Sequence, residues 1–227
     1  MAIDHSLTYK QFKLRNLPHI LRKKQLSNLI ARLKRRPNIY SDFGCSNGYL
    51  TKTFHDILLP VKTNGYDHSD NIEAARSTYS DINFDYIDLN KVNNFDEKSD
   101  LITCFETIEH VGNSLHAIRN LKEASHKGSI LLISVPIEIG FVGIMKYIVK
   151  RFFLKYELPL NCNDSEYFSA LLKGKNINQF RKNAEGYGSH FGYDYRITDD
   201  EIKKEFPNYK VKKWNKLTTR FYRIEVI

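Results

Sequence analysis

The feature that most constrains this chain is the stretch Asn38-Ile-Tyr-Ser-Asp-Phe-Gly-Cys-Ser-Asn-Gly48. Ile39, Tyr40 and Phe43 suit a buried strand, and Gly44 opens a glycine-bearing turn where that strand stops. Beyond Gly48 the apolar residues Leu50, Phe54, Ile57 and Leu58 fall at helical spacing until Pro60 ends the run. Strand, tight turn and helix in succession let a ligand lie against backbone near a helix N-terminus. A second strand, Lys62 to Asp67, ends in an acid about twenty residues after the last glycine. At that spacing a carboxylate on a strand tip accepts hydrogen bonds from ribose hydroxyls.

The same residues admit other readings. Ser46 replaces the middle glycine of G-x-G-x-x-G and the third glycine is absent, so the stretch is a poor dinucleotide fingerprint. Gly44 to Gly48 also spells the G-x-S-x-G of a hydrolase nucleophile elbow. That elbow normally follows several strands, whereas this turn follows what reads as the first. A strand–turn–helix with no ligand is the remaining alternative, and the rest of the chain weighs against it.

Ahead of this stretch, residues 1–17 hold little pattern. Leu21, Leu26, Leu29, Ile30 and Leu33 predict an amphipathic helix from Pro18 to Arg36, with basic clusters at Arg22-Lys-Lys24 and Lys34-Arg-Arg36. After Asp67, Asp70 and Glu73 have capping-box spacing for a further helix. Asn83 to Leu89 reads as strand three, ending near Asp88, and Asp100 to Glu106 as strand four. A helix is expected from about Asn113 to His126, C-capped by Gly128, followed by the continuous apolar strand Ser129 to Val135. Residues 137–187 break the cadence as a helical insertion. The chain closes with a hairpin of Tyr209–Trp214 and Arg220–Val226. Strands alternating with helices mean an α/β fold: a Rossmann-like, mostly parallel sheet with helices on both faces and a terminal antiparallel hairpin strand.

The 227 residues suit one domain over 1–227, with 1–37 an N-terminal helical segment. Three cysteines without a close pair argue against a disulfide framework and against a CxxC zinc site, and no acid cluster has metal-ligand spacing. With no signal-peptide pattern at the start, a reducing cytoplasm is the expected setting. No apolar run reaches the roughly 18 residues needed to span a bilayer. The net charge of +9 points to an anionic substrate, RNA or a membrane surface, although many basic enzymes bind no polyanion.

Taken together, these positions resemble a class I S-adenosylmethionine (SAM)-dependent methyltransferase. The SAM loop of that family is similar to Asp-x-Gly-Cys-Gly-x-Gly; Asp42, Gly44, Cys45 and Gly48 match it and Ser46 departs from it. The resemblance implies that Gly44 and Gly48 leave room for the methionine end of SAM. It implies that Asp67, with His68 beside it, takes the ribose hydroxyls. Asp88, with Leu89 beside it, would face the adenine amino group. Phe105-Glu-Thr-Ile-Glu-His-Val111 resembles the motif after strand four of ubiquinone-type and glycan-locus methyltransferases, where backbone near Phe105 lies against the methionine moiety.

Methyl transfer is an in-line displacement, and a hydroxyl acceptor needs a base to take its proton. His110, just past strand four, and His190, in Gly188-Ser-His-Phe-Gly-Tyr-Asp-Tyr-Arg196, are the candidate bases. The latter string is similar to an acceptor-side segment of small-molecule methyltransferases. Glu109 is expected to orient the loop after strand four and, with Tyr193 and Arg196, to face the acceptor. The insertion, with Phe141, Met145, Tyr147, Phe152, Phe153 and Tyr156 among lysines, would cap the substrate side and suits an anionic or lipid-linked acceptor or a membrane surface. The expectation is O-methylation of a small molecule or a glycan hydroxyl. RNA methylation and a non-catalytic partner-binding role are the rivals, and the oligomeric state stays open.

Overall fold

The computed structural model describes residues 9, 16–155, 157, 159–182 and 187–227; Tyr156 and most of the 1–17 stretch lie outside them. Strand β1 (Ile39–Phe43) leads through helix α2 (Tyr49–Leu58) to β2 (Lys62–Asp67), and the helix before β1, α1, spans Leu17–Ala31. Then come α3 (Asn71–Thr78), β3 (Asn83–Tyr86), β4 (Ser99–Phe105), α4 (Ser114–Glu123) and β5 (Ser125–Pro136). The insertion holds α5 (Gly140–Ile148), a π-helical turn (Val149–Phe153) and α6 (Asp164–Leu172). Helix α7 (Tyr195–Glu205) and the hairpin β6 (Lys210–Lys216) and β7 (Thr219–Glu225) follow.

The seven strands lie in the order β3-β2-β1-β4-β5-β7-β6. The first five are parallel, and β7 enters antiparallel between β5 and β6, as Leu131↔Ile224 and Trp214↔Phe221 show. Parallel strands need crossovers, and the crossovers here put helices on both faces. Side-chain alternation sorts the core accordingly. On one face Tyr40, Leu101, Leu132 and Phe221 meet Leu26 and Ile30 of α1 and Phe54 and Leu58 of α2. On the other, Phe43, Ile102, Leu131, Ile133 and Tyr222 meet Ile118 and Leu121 of α4 and Ile202 and Phe206 of α7. Each such side chain contributes about 1.5–3 kcal/mol by leaving water. The insertion packs around its own cluster, including Tyr147, Leu160, Tyr167 and Phe180. It connects back through the bridge Val111↔Tyr187.

Several local expectations are corrected. Helix α1 stops at Ala31, five residues short of Arg36, and Lys34 takes a left-handed φ of 48° before the turn into Pro37. Asp70 makes no side-chain cap to α3; Glu73 pairs with Arg76 instead. Helix α4 ends at Glu123, because β5 already pairs with β4 at Ser99↔Ser125. Gly128 therefore lies inside β5 rather than capping a helix; its φ is 93° and its N–H donates to the Val226 carbonyl. His126, read as a helix end, is a strand residue.

One buried carboxylate sets the register at the functional edge. Asp42 accepts 2.6 Å hydrogen bonds from Thr103 of β4 on one oxygen and Thr51 of α2 on the other. Tyr40 OH lies 2.8 Å from Thr103 Oγ1 and donates to it, since the threonine proton is already committed. Burial pushes the Asp42 pKa up to about 6, against the pull of both hydroxyls and with the Asp67 charge adding to the rise. The folded pKa lies above the ordinary 3.8, so this group stabilises the fold at low pH, and that contribution is lost as pH rises through about 6. Asp42→Asn keeps the shape without the charge. Its melting temperature should gain on wild type as pH rises from about 4 to about 7 and level off above that; a gap that does not move with pH would show that burial does not raise the Asp42 pKa.

Candidate functional site

Because β1, β2 and β4 run parallel in register, the loops after Phe43, Asp67 and Phe105 leave the sheet at one edge. The first loop is wound tightly. Gly44, Ser46 and Gly48 have φ of 81°, 49° and 74°, a region where an L side chain costs about 1–2 kcal/mol. Ser46 is held there by its own bonds: its N–H donates to Asp67 at 2.7 Å and its hydroxyl accepts from Asn71 at 3.2 Å. The serine that departs from the family pattern thus keeps the turn.

Protein neighbours by themselves already require both glycines. A Cβ on Gly44 would stand 2.1 Å from Thr107 Oγ1, and one on Gly48 would stand 2.6 Å from the Phe84 ring. Both glycines make way for protein neighbours. Nor are the loop amides free: Gly44 and Cys45 donate to the Tyr66 carbonyl, and Gly48 donates to that of Cys45.

Asp67, at the tip of β2, also accepts from the Ser69 N–H and hydroxyl at 2.9 and 2.7 Å. Burial raises its pKa, but hydrogen bonds from His68, Ser69 and Ser46 outweigh burial and hold it below the usual carboxylate value. Beyond β3, Tyr187 fills the seat expected for an adenine edge. Its hydroxyl accepts from Leu89 N–H at 2.7 Å and donates to Asp88 at 3.3 Å, while its ring stacks on His68 with centroids 3.2 Å apart. Sequence reasoning passed over Tyr187; the only signal was its place beside the Gly188 string.

After β4, Phe105 meets Phe54 edge-on and Glu106 pairs with Arg22 of α1 at 2.9 Å. Glu109 is buried, and its Oε2 has no hydrogen-bond partner among the described residues. Burial, reinforced by the Glu106 charge, pushes its pKa well above the carboxylate range. His110 Nδ1 lies 2.6 Å from the Gly188 carbonyl, so Nδ1 carries the proton and Nε2 is an acceptor, 4.0 Å from Glu109 Oε1. Burial lowers its pKa below 6.5 despite that bond. The ring of His190 lies 5.7 Å from that of His110, and its Nε2 is 3.5 Å from Lys150 Nζ. Burial, then the Lys150 charge, takes the His190 pKa down to about 3.

These groups surround one cleft of about 800 Å³. Asp42, Gly44, Cys45, Ser46, Asp67, His68, Leu89, Phe105, Glu109, His110 and His190 line it; Gly48, Asp88, Tyr193 and Arg196 do not. Tyr193 is buried in the core with its hydroxyl on Thr198. Arg196 pairs with Asp194 and donates to the Gly174 and Lys175 carbonyls, which fastens the insertion to the start of α7. From the insertion side come Glu138, which sequence reasoning passed over, and Lys146 and Lys150, which the sequence offered only as cations studding an apolar stretch. A smaller cavity of about 410 Å³ lies beside β2 and β3, its walls occupied by the pairs Arg76–Asp85 and Lys62–Glu97.

The cleft fits SAM on its own evidence. Asp67, whose hydrogen bonds hold its pKa low, brings a negative charge to the cleft wall and suits a ligand that is cationic at sulfur and nitrogen. Asp88 and the Leu89 N–H offer an acceptor beside a donor, the complement of an aminopurine edge, and a single phenol now satisfies both. Buried Asn71 Oδ1 and Glu109 Oε2, on the cleft wall, have no protein partner among the described residues.

The sequence profile of the methyltransferase domain family matches residues 17–165, more than half of the chain. No curated protein matches at the sequence level. Solved structures share the fold. An O-methyltransferase family protein from Burkholderia thailandensis has 12% identity and a TM-score of 0.59, covering 89% of this chain and 55% of that one. The plantazolicin methyltransferase BpumL, solved with a triazolic desmethyl analog and S-adenosylhomocysteine (SAH), has 11% identity and a TM-score of 0.61, covering 92% and 84%. A SAM-dependent methyltransferase from Aquifex aeolicus has 10% identity and a TM-score of 0.57, covering 90% and 89%. At such identities the likeness carries the fold alone. The profile match, the strand order and the cleft chemistry agree: this chain belongs to the class I SAM-dependent methyltransferases and is an enzyme that uses SAM.

Proposed function

We propose that the enzyme methylates a hydroxyl of a small molecule or sugar, with His110 as the base that takes the hydroxyl proton. The observation that carries this is the 2.6 Å contact between His110 Nδ1 and the Gly188 carbonyl, which leaves Nε2 as an acceptor at the cleft. When bound, SAM supplies the electrophilic methyl group. Asp67 would hold the ribose and Asp88 with Leu89 the adenine edge. His110 Nε2 receives the proton, and the Glu106 charge favours the imidazolium that forms. His190 is the poorer base, with Lys150 against its Nε2 and a pKa near 3.

The acceptor carries an anionic group in this reading. Arg22 and Lys146 are neutralised by Glu106 and Glu138, while Lys150 has no carboxylate within ion-pair distance among the described residues. Lys150 would meet the anion. A reducing, cytoplasmic setting accords with the three free cysteines, and no helix among the described residues is long and apolar enough to cross a membrane.

An SAH-release assay over nucleotide sugars and glycan fragments tests the base. Wild-type kcat/KM should rise with pH to a plateau, the rising limb lying below 6.5 because a lowered pKa keeps His110 neutral above it. His110→Ala should lose about 10²–10⁴-fold and the limb with it, with SAH affinity unchanged; an intact profile would remove His110 from the chemistry.

Calorimetry with SAH tests the cofactor seat. Asp67→Asn is expected to weaken binding tenfold or more through lost charge-assisted bonds. Tyr187→Phe is expected to tighten it by about two- to tenfold, because the free state then lacks hydrogen bonds that the ligand replaces. Weaker binding by Tyr187→Phe would mean that the hydroxyl touches the bound cofactor rather than standing in its place.

A further inference from the structure

Asp67 has too little acceptor capacity left to hold a ribose diol alone. A carboxylate offers about four lone-pair positions. The Ser69 N–H and hydroxyl occupy Oδ1 at 2.9 and 2.7 Å, with His68 Nδ1 a further 3.5 Å contact on the same oxygen. The Ser46 N–H takes one position of Oδ2 at 2.7 Å. A single position therefore stays open, whereas the 2′- and 3′-hydroxyls of a ribose bring two donors.

A second acceptor stands on the same wall. Asn71, the first residue of α3, lines the cleft with Ser46, Asp67 and His68. Its Nδ2 donates to Ser46 Oγ at 3.2 Å, while its buried Oδ1 has no partner among the described residues. A buried acceptor without a donor costs free energy, and on a cleft wall the missing donor is a ligand's. Ser46 joins the two acceptors, its N–H on Asp67 and its hydroxyl on the Asn71 amide. Glycine, the residue of the family pattern, would suit the φ of 49° better but has no hydroxyl to hold Asn71. We propose that Asn71 Oδ1 accepts one ribose hydroxyl of the cofactor and Asp67 Oδ2 the other, with Ser46 holding both side chains in place. This rests on the assignment of Asp67 to the ribose made above.

The test is calorimetry of the full chain with SAH and with its 2′-deoxy and 3′-deoxy analogues. Wild type should bind each analogue about five- to fiftyfold more weakly than SAH. Asn71→Ala should erase that penalty for one analogue and keep it for the other, and Asp67→Asn should lower the other. Each penalty is a ratio within one variant, so a general loss of affinity leaves it readable. Asn71→Asp keeps an acceptor, to which the Ser46 hydroxyl turns as donor, and should retain both penalties. Ser46→Gly should raise the melting temperature by relieving the backbone, yet cut the Asn71 penalty at least threefold. Both penalties persisting in Asn71→Ala overturn the proposal, and an Asn71 penalty unchanged in Ser46→Gly overturns the part given to Ser46. If Asp67→Asn alters neither penalty while Asn71→Ala erases one, the Asp67 assignment fails and Asn71 keeps its hydroxyl.

Discussion

Everything at the functional edge depends on keeping a carboxylate where water cannot reach it. Asp42 is buried, and such a group is tolerated only when its oxygens are hydrogen-bonded. Thr103 and Thr51 provide those bonds and, in doing so, tie the tip of β1 to β4 and to the first turn of α2. Asp67 repeats the arrangement one strand over, with the Ser46 N–H. The two acids hold the strand tips level, so three loops that are distant in sequence arrive at one cleft. The cofactor seat is therefore organised by bonds that exist before any ligand arrives.

The architecture was legible because its signals are local or periodic. Lys62–Asp67 was bounded by turn residues, and the apolar run in β5 could only be a strand buried on both faces. What escaped depends on partners remote in sequence. The reason for Gly44 is Thr107, and the reason for Gly48 is Phe84; nothing near either glycine names its neighbour. Tyr193 and Arg196 sit in the same string as His190, yet one turns into the core and the other grips Asp194, because α7 begins between them. Tyr187 looked like ordinary loop composition until the fold set it against Asp88, roughly a hundred positions away.

Charge is distributed unevenly along the cleft. Carboxyl groups gather at the glycine loop and the end of β4, while Lys146 and Lys150 approach from the insertion. In a partly dry cleft such placement acts more strongly than it would in water. Burial lowers the basicity of both histidines and raises that of Glu109, with the Lys150 charge adding to the fall at His190 and the Glu106 charge to the rise at Glu109. The insertion thus gives the cleft its cations and the surface its phenylalanines from consecutive turns of one helix.

The placement of β7 has a consequence for biosynthesis. Strand β6 leaves the ribosome before β7, yet it joins the sheet only through β7, and the open side of β5 waits for the same strand. During that interval the nascent chain presents two unpaired strand edges, the condition under which wrong partners and aggregation are commonest. Lys210, Lys212, Lys213 and Lys216 make β6 a poor template for a stranger. The apolar β5 has no such protection of its own; until its last neighbour is made, its safety rests on speed or on a chaperone.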